Sequence, residues 1–145
     1  MADKILGSIY LGDKDDAPKF EGEIICVLQD IPKGEPKEAL WIPIVRSSTT
    51  LTEDQLVIEQ DTDVYAQRSN LDLIARILEE NWEENIKTLV HCIGGIERSP
   101  LAIVYWLQKY HSFTFNTAYE RVQKIRPQVQ NRLIWLNMTY DEHMS

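Results

Sequence analysis

Residues 91–100 read His-Cys-Ile-Gly-Gly-Ile-Glu-Arg-Ser-Pro and lie between two apolar runs, Leu89-Val90 before and Leu101 to Leu107 after. That order predicts a buried strand, a glycine-bearing turn and then a helix. No other stretch restricts the fold as strongly. A turn of this length with two glycines can curl so that successive backbone N–H groups point inward and form a nest for an anion. The helix starting near Arg98 aims its positive end into the same nest. Arg98 adds a planar fork that matches two oxygens of a phosphate. Cys92 sits at the mouth, where amide dipoles and a guanidinium favour the thiolate over the thiol. The stretch is therefore expected to hold a phosphate and to set a nucleophile beneath it.

The remaining elements follow from hydrophobic periodicity. Ile5 to Leu11 reads as a short strand ended by Gly12-Asp13, and Glu23 to Leu28 as a second strand. The continuous run Ile24-Ile25-Cys26-Val27-Leu28 suits a parallel strand buried on both faces. Asp30 to Lys37, with two prolines and Gly34, is a loop. Leu40 to Val45 is a third apolar run, and Pro43 within it points to an edge or an unbonded N–H. Gln55 to Gln60 reads as a further strand that can pair with it as a hairpin. Asn70 to Trp82 is a helix with Leu71, Ile74, Leu78 and Trp82 on one face. Ser69 and Asp72 resemble a capping box at its start. Glu79, Glu80, Glu83 and Glu84 read as a solvated acidic face. Lys87 to His91 feeds the central turn. Arg98 to Tyr110 is apolar nearly all round, as a buried helix must be, and Pro100 is tolerated in its first turn. Thr114 to Lys124 is an amphipathic helix using Phe115, Ala118, Val122 and Ile125, interrupted by Arg126-Pro127. Asn131 onward is read as a last helix with Leu133, Leu136 and Tyr140 inward. The expected fold is an α/β domain over residues 1–145, with a central, mostly parallel sheet of four to five strands flanked by helices and a β-hairpin insertion.

Composition narrows the function classes. A net charge of −8 over 145 residues leaves no basic face for nucleic acid or an anionic membrane. A phosphate pocket is still allowed, because its field comes from Arg98 and local dipoles. Two cysteines, Cys26 and Cys92, make no disulfide framework and suit a reducing cytoplasm. No signal peptide and no membrane-spanning apolar run is read. No His/Cys/Asp group has metal-ligand spacing, so neither metal nor cofactor is expected.

The stretch from His91 to Ser99 resembles the His-Cys-x5-Arg-Ser/Thr signature of the cysteine-dependent protein phosphatases, most closely the small dual-specificity phosphatases. The likeness extends to Ile5 through Gly12, to Ile24 through Leu28, and to Ile125-Arg126-Pro127 with Asn131. It implies a phosphatase fold and hydrolysis of phosphotyrosine, with phosphoserine and phosphothreonine as further candidates, through a phosphocysteine on Cys92. The amides of Ile93, Gly94, Gly95, Ile96, Glu97 and Arg98, with the Arg98 fork, would hold the phosphate oxygens. Ser99 matches the hydroxyl that stabilises the leaving thiolate; it also fits a simple helix N-cap. His91 matches the histidine that orients the loop, a structural role.

Two positions depart from the family. The acid expected just after Ile42-Pro43-Ile44 is missing, since Val45, Arg46 and Ser47 stand there. Val57 to Thr62 resembles the family's strand-then-Asp pattern, which makes Asp61 the candidate general acid and Asp63 the reserve, with about Arg46 to Gln55 as an insertion. Glu97 beside Arg98 would repel a phosphate dianion if it pointed inward, so it is expected to turn outward onto a base. The apolar Ile93 and Ile96 argue against the inositol-lipid phosphatases, which tend to carry lysines there. The expected partners are a phosphorylated protein or peptide and phosphate-like anions. The rival readings are a pseudophosphatase that binds phosphorylated ligands and a phosphatase of small phosphate metabolites. A further alternative to an inert core thiol makes Cys26 a disulfide partner that protects Cys92 under oxidation.

Overall fold

In the computed structural model, residues 1–44 and 68–136 are described. The sheet is built outward from β5 (Thr88–His91), whose four residues are all buried. β2 (Ile9–Gly12) pairs parallel with it on one side and β3 (Glu23–Cys26) on the other. The registers end at Gly12↔His91 and Cys26↔His91, so all three strands stop level with the start of the loop at Cys92. β1 (Asp3–Leu6) runs antiparallel along β2, and β4 (Leu40–Trp41) parallel along β3, giving the order β1-β2-β5-β3-β4. Strands alternate their side chains between faces. Leu11, Ile25 and Val90 enter the main core, while Ile24 and Leu89 form a smaller cluster with Ala17 on the opposite face.

Three helices complete the described fold: α1 (Arg68–Glu83), α2 (Arg98–Tyr110) and α3 (Phe115–Ile125). α2 is the centrepiece, because every residue from Ser99 to Leu107 is buried. It touches α1, α3, β2 and β5. Burying one Leu or Ile side chain contributes roughly 1.5–3 kcal/mol, so the run 101–107 ties α2 firmly to the sheet. Thr114 caps α3 reciprocally with Thr117. No helix among the described residues is long and apolar enough to cross a membrane.

The mixed, mostly parallel α/β architecture matches expectation, with several local corrections. The single strand over 5–11 is a hairpin that turns at Gly7-Ser8, where Gly7 has φ of 56°. That left-handed conformation suits glycine, and a Cβ there would lie 2.8 Å from the Trp82 ring. The third apolar run pairs as a strand only at Leu40–Trp41. Ile42 N–H and Ile44 N–H continue the bonding to Cys26 O and Val27 O, and Pro43, which has no N–H, falls between them on this edge. Ser69 lies inside α1 rather than capping it, and Asp72 instead accepts from Tyr105 Oη at 2.6 Å and Lys109 Nζ at 2.8 Å. Glu79 leaves the solvated face: its Oε1 accepts from Trp106 Nε1 at 3.1 Å and bonds His111 Nε2 at 2.7 Å. The last helix is, over the described residues, a 3-10 turn at Leu133–Leu136 with Leu133 and Leu136 buried. Tyr140 and the 46–60 segment lie outside the described residues.

Cys26 supplies a check on this packing. Burial, together with the nearby Glu35 and Cys92, pushes its thiol up to about 11 against a backbone bond near Leu28 that lowers it. The unfolded thiol loses its proton near pH 9 while the native one keeps it. The native state then binds more protons, so Cys26 contributes stability below about pH 9 that is lost as pH rises towards 11. Urea unfolding of wild type and Cys26→Ala between pH 8 and 11 should show a steeper alkaline decline in wild type, by on the order of 2 kcal/mol. Parallel curves would place Cys26 in an environment that does not resist ionisation.

Candidate active site

The loop from Cys92 to Glu97 joins β5 to α2, and its shape is set by where its carbonyls go. His91 O accepts from Val27 N at 3.1 Å and Ile93 O from Lys14 N at 3.0 Å. Gly94 O and Gly95 O accept from Arg126 Nη2 at 2.9 Å and Arg126 Nε at 3.0 Å. Ile96 O accepts from Gln130 N at 2.9 Å, and Glu97 O from Leu101 N at 3.3 Å. Cys92 O takes the His91 ring, Nδ1 at 3.1 Å. Every carbonyl from His91 to Glu97 is therefore drawn to the surrounding scaffold. Among the described residues, none accepts from the N–H groups of Ile93 to Glu97. A loop with its carbonyls pulled outward presents its amides to the inside, which is the geometry of an anion nest.

Gly95 makes the tightest turn. Its φ is 66°, and a Cβ on it would lie 2.7 Å from Gly12 O and 2.8 Å from Arg126 Nη2. Only glycine fits there. Arg126 is buried and also bonds Asp3 Oδ2 at 2.9 Å, so it staples the N-terminal strand to the loop.

Cys92 lies at the floor of a cleft of about 310 Å³ lined also by Ile93, Gly94, Ile96, Glu97 and Arg98. Its Sγ is 3.1 Å from Ser99 Oγ. A thiolate only accepts, so Ser99 O–H is the donor whenever the sulfur is charged. Arg98 opens α2, whose N-terminal dipole adds to the positive field. Glu97 turns onto another base: its Oε2 is 3.4 Å from Arg132 Nε. Ile93, 61% exposed, stands at the mouth as an apolar rim. The arrangement brings together Cys92, Arg98, Ser99, the loop amides and His91. Asp61 and Asp63 lie outside the described residues.

The profile described as "Dual specificity phosphatase, catalytic domain" matches residues 9–141. The chain belongs to the dual-specificity phosphatase catalytic-domain family. Within that family, it is similar to MAP kinase phosphatase with leucine-rich repeats protein 3 of Dictyostelium discoideum, 48% identical over 42 residues, or 29% of this chain and 5% of the relative. It is also similar to dual specificity protein phosphatase 12 of Rattus norvegicus, 32% identical over 62 residues, or 43% of this chain and 18% of the relative. These matches thus span a small part of either relative. Among solved structures, a mouse putative dual specificity phosphatase complexed with zinc tungstate superposes with a TM-score of 0.70 at 15% identity, covering 92% of this chain and 80% of that one. The human tyrosine phosphatase-like serine/threonine/tyrosine-interacting protein gives a TM-score of 0.70 at 17% identity, covering 94% and 91%. At these identities the structural likeness concerns the dual-specificity phosphatase fold alone.

Sequence reasoning missed Glu35, whose Oε2 lies 2.8 Å from His91 Nε2. It also missed the closeness of Cys26, Glu35 and His91, whose donor atoms lie within 4.8 Å of one another. Glu35 and His91 are 56 residues apart in sequence, so spacing held no signal for either. β3 and β5 are neighbours, which brings Cys26 beside His91, one residue from Cys92; both cysteines are free thiols.

Arg126 offers a direct test of the tethering. Arg126→Met leaves Gly94 O and Gly95 O without their donor. A buried orphan acceptor such as Gly95 O costs about 1–3 kcal/mol and the half-buried Gly94 O less, so stability should fall by roughly 1–4 kcal/mol. Vanadate affinity, read by calorimetry on the folded fraction, should fall with it. Unchanged vanadate binding would show that the amide nest does not depend on Arg126.

Proposed function

We propose that this chain is a phosphoprotein phosphatase, a single catalytic domain over residues 1–145. Its substrates are phosphotyrosine, and by the family's range phosphoserine and phosphothreonine, in proteins or peptides. The observation that carries the reading is the Cys92 sulfur, 3.1 Å from a buried serine hydroxyl, at the floor of a loop whose carbonyls all face away.

The thiolate attacks phosphorus, the P–O bond to the substrate breaks, and a phosphocysteine forms. The equatorial oxygens gain charge at that moment. The amides of Ile93 to Arg98 and the Arg98 fork meet them already oriented, where such donors are worth more than in water. The leaving oxygen takes a proton from a carboxylic acid, for which Asp61 is our candidate and Asp63 the reserve. Water then attacks phosphorus, the carboxylate accepts its proton, and the sulfur departs as a thiolate towards Ser99 Oγ–H. Inorganic phosphate is the product. His91 holds the loop and takes no proton in the cycle. No step calls for a metal or cofactor. A chemistry resting on a reduced thiol suits the cytoplasm. The pairing of Glu97 with Arg132 offsets the negative charge it brings to the rim of the cleft.

The deciding measurement is turnover of p-nitrophenyl phosphate. Its leaving group needs little protonation, so the nucleophile alone governs the outcome. Wild type should exceed Cys92→Ser by at least about a thousandfold. A wild type no faster than that variant would leave a phosphate-binding protein in place of an enzyme, and free nucleotides outpacing phosphopeptides would move the reading to small metabolites. Arg98→Lys should lose activity heavily although charge is kept, because the fork is gone. Asp61→Asn should depress poor leaving groups by about 10²–10⁴-fold and good ones far less. Equal losses on both substrates would transfer the acid role to Asp63 or another carboxylate.

A further inference from the structure

The His91–Glu35 contact constrains where protons sit. His91 Nδ1 lies 3.1 Å from Cys92 O, and a carbonyl only accepts, so Nδ1 carries a hydrogen. Nε2 lies 2.8 Å from Glu35 Oε2. A ring protonated at Nδ1 alone would turn a lone pair towards a carboxylate that also only accepts. Two acceptors do not meet at that distance, so a proton lies between them. The three nearby donors of Cys26, Glu35 and His91 suggest a metal at first sight. Atoms bound at about 2.0–2.1 Å to one tetrahedral ion stand roughly 3.3 Å apart, wider than the observed pair. The gap fits a proton instead.

The pair is also isolated. The side chain of His91 is fully buried and that of Glu35 is 5% exposed. Glu35 Oε1 has no hydrogen-bond partner among the described residues, so His91 is the carboxylate's recorded partner. Breaking one half would strand the other as a buried, unpaired charge. Turns on both sides of Glu35 hold it in place: Glu35 N donates to Pro32 O at 3.2 Å, and Ala39 N to Pro36 O at 3.1 Å.

We propose that Glu35 is a positioning residue for the nucleophile. It holds His91 as an imidazolium, which keeps Nδ1–H on the Cys92 carbonyl and places a positive charge next to the thiolate's own residue. The inference rests on the reading of Cys92 as nucleophile. The titratable groups beside the ring are Glu35, Cys26 on β3 and Cys92 itself. Cys26, pushed up to about 11, stays a neutral thiol through the neutral range.

The test is Glu35→Gln, which keeps the shape. A Gln amide N–H can donate to a bare Nε2, so the ring turns neutral with Nδ1–H still on Cys92 O. Both versions are made in a Cys26→Ala background, leaving one thiol to label. Iodoacetamide alkylation of Cys92 is followed from pH 5 to 8. The Glu35→Gln curve should move to higher pH, with labelling about threefold to tenfold slower at pH 6, and the acidic limb of kcat/KM should move the same way. Overlaid curves, with only a lower melting temperature, would reduce Glu35 to a structural role and overturn the proposal. Should Glu35→Gln not fold, ring nitrogen-15 NMR of the intact wild type still decides: both His91 nitrogens must carry protons near neutral pH, and a bare Nε2 refutes the idea. Neither labelling nor NMR needs turnover. A displaced curve in a protein without phosphatase activity would therefore sink the catalytic reading and leave only the effect of Glu35 on the Cys92 thiol.

Discussion

Seven tethered carbonyls, from His91 to Glu97, give the loop its polarity. A peptide group has two ends, and fixing its C=O fixes the direction of the next N–H. Val27, Lys14, Arg126, Gln130, Leu101 and the His91 ring each hold one or two of the carbonyls from 91 to 97. The amides are left aimed at a common point. The charge that gathers an anion is thus supplied by the main chain before any substrate arrives. Arg98 and the end of α2 add to a field that already exists.

This explains how a chain of net charge −8 can still offer an anion nest. Among the described residues, several carboxylates are matched by bases. Asp3 is spent on Arg126, Glu97 on Arg132 and Asp72 on Lys109. Composition describes the outside of the molecule, and the loop's polarity is set by peptide dipoles that composition does not count.

The strand, loop and buried helix were legible because period and glycine placement are local properties. Arg98–Tyr110 falls on the expected bounds, and the parallel run at Ile24–Leu28 becomes an interior strand. The hairpin at Gly7-Ser8 was hidden because the apolar residues on either side continue one alternation across the turn. Glu79 was read as solvated because its neighbours are, and only the packing of α1 on α2 brings Trp106 and His111 to it. Glu35 was invisible for a deeper reason. Its partner is 56 residues away in sequence, and a glutamate between two prolines in a polar loop has the pattern of an ordinary surface turn.

The three chain segments that grip the loop from outside have a thermodynamic corollary. They come from the first fifteen residues, the end of β3, and the stretch after α3. A ligand seated among the amides is bound only while all of them are docked. Its free energy is therefore shared by all of these segments, growing as RT ln(1 + [L]/Kd). Occupancy of this small cup works as a clasp on these segments, and undocking of the residues around Lys14 or around Arg126 is felt first as a loss of affinity for the anion.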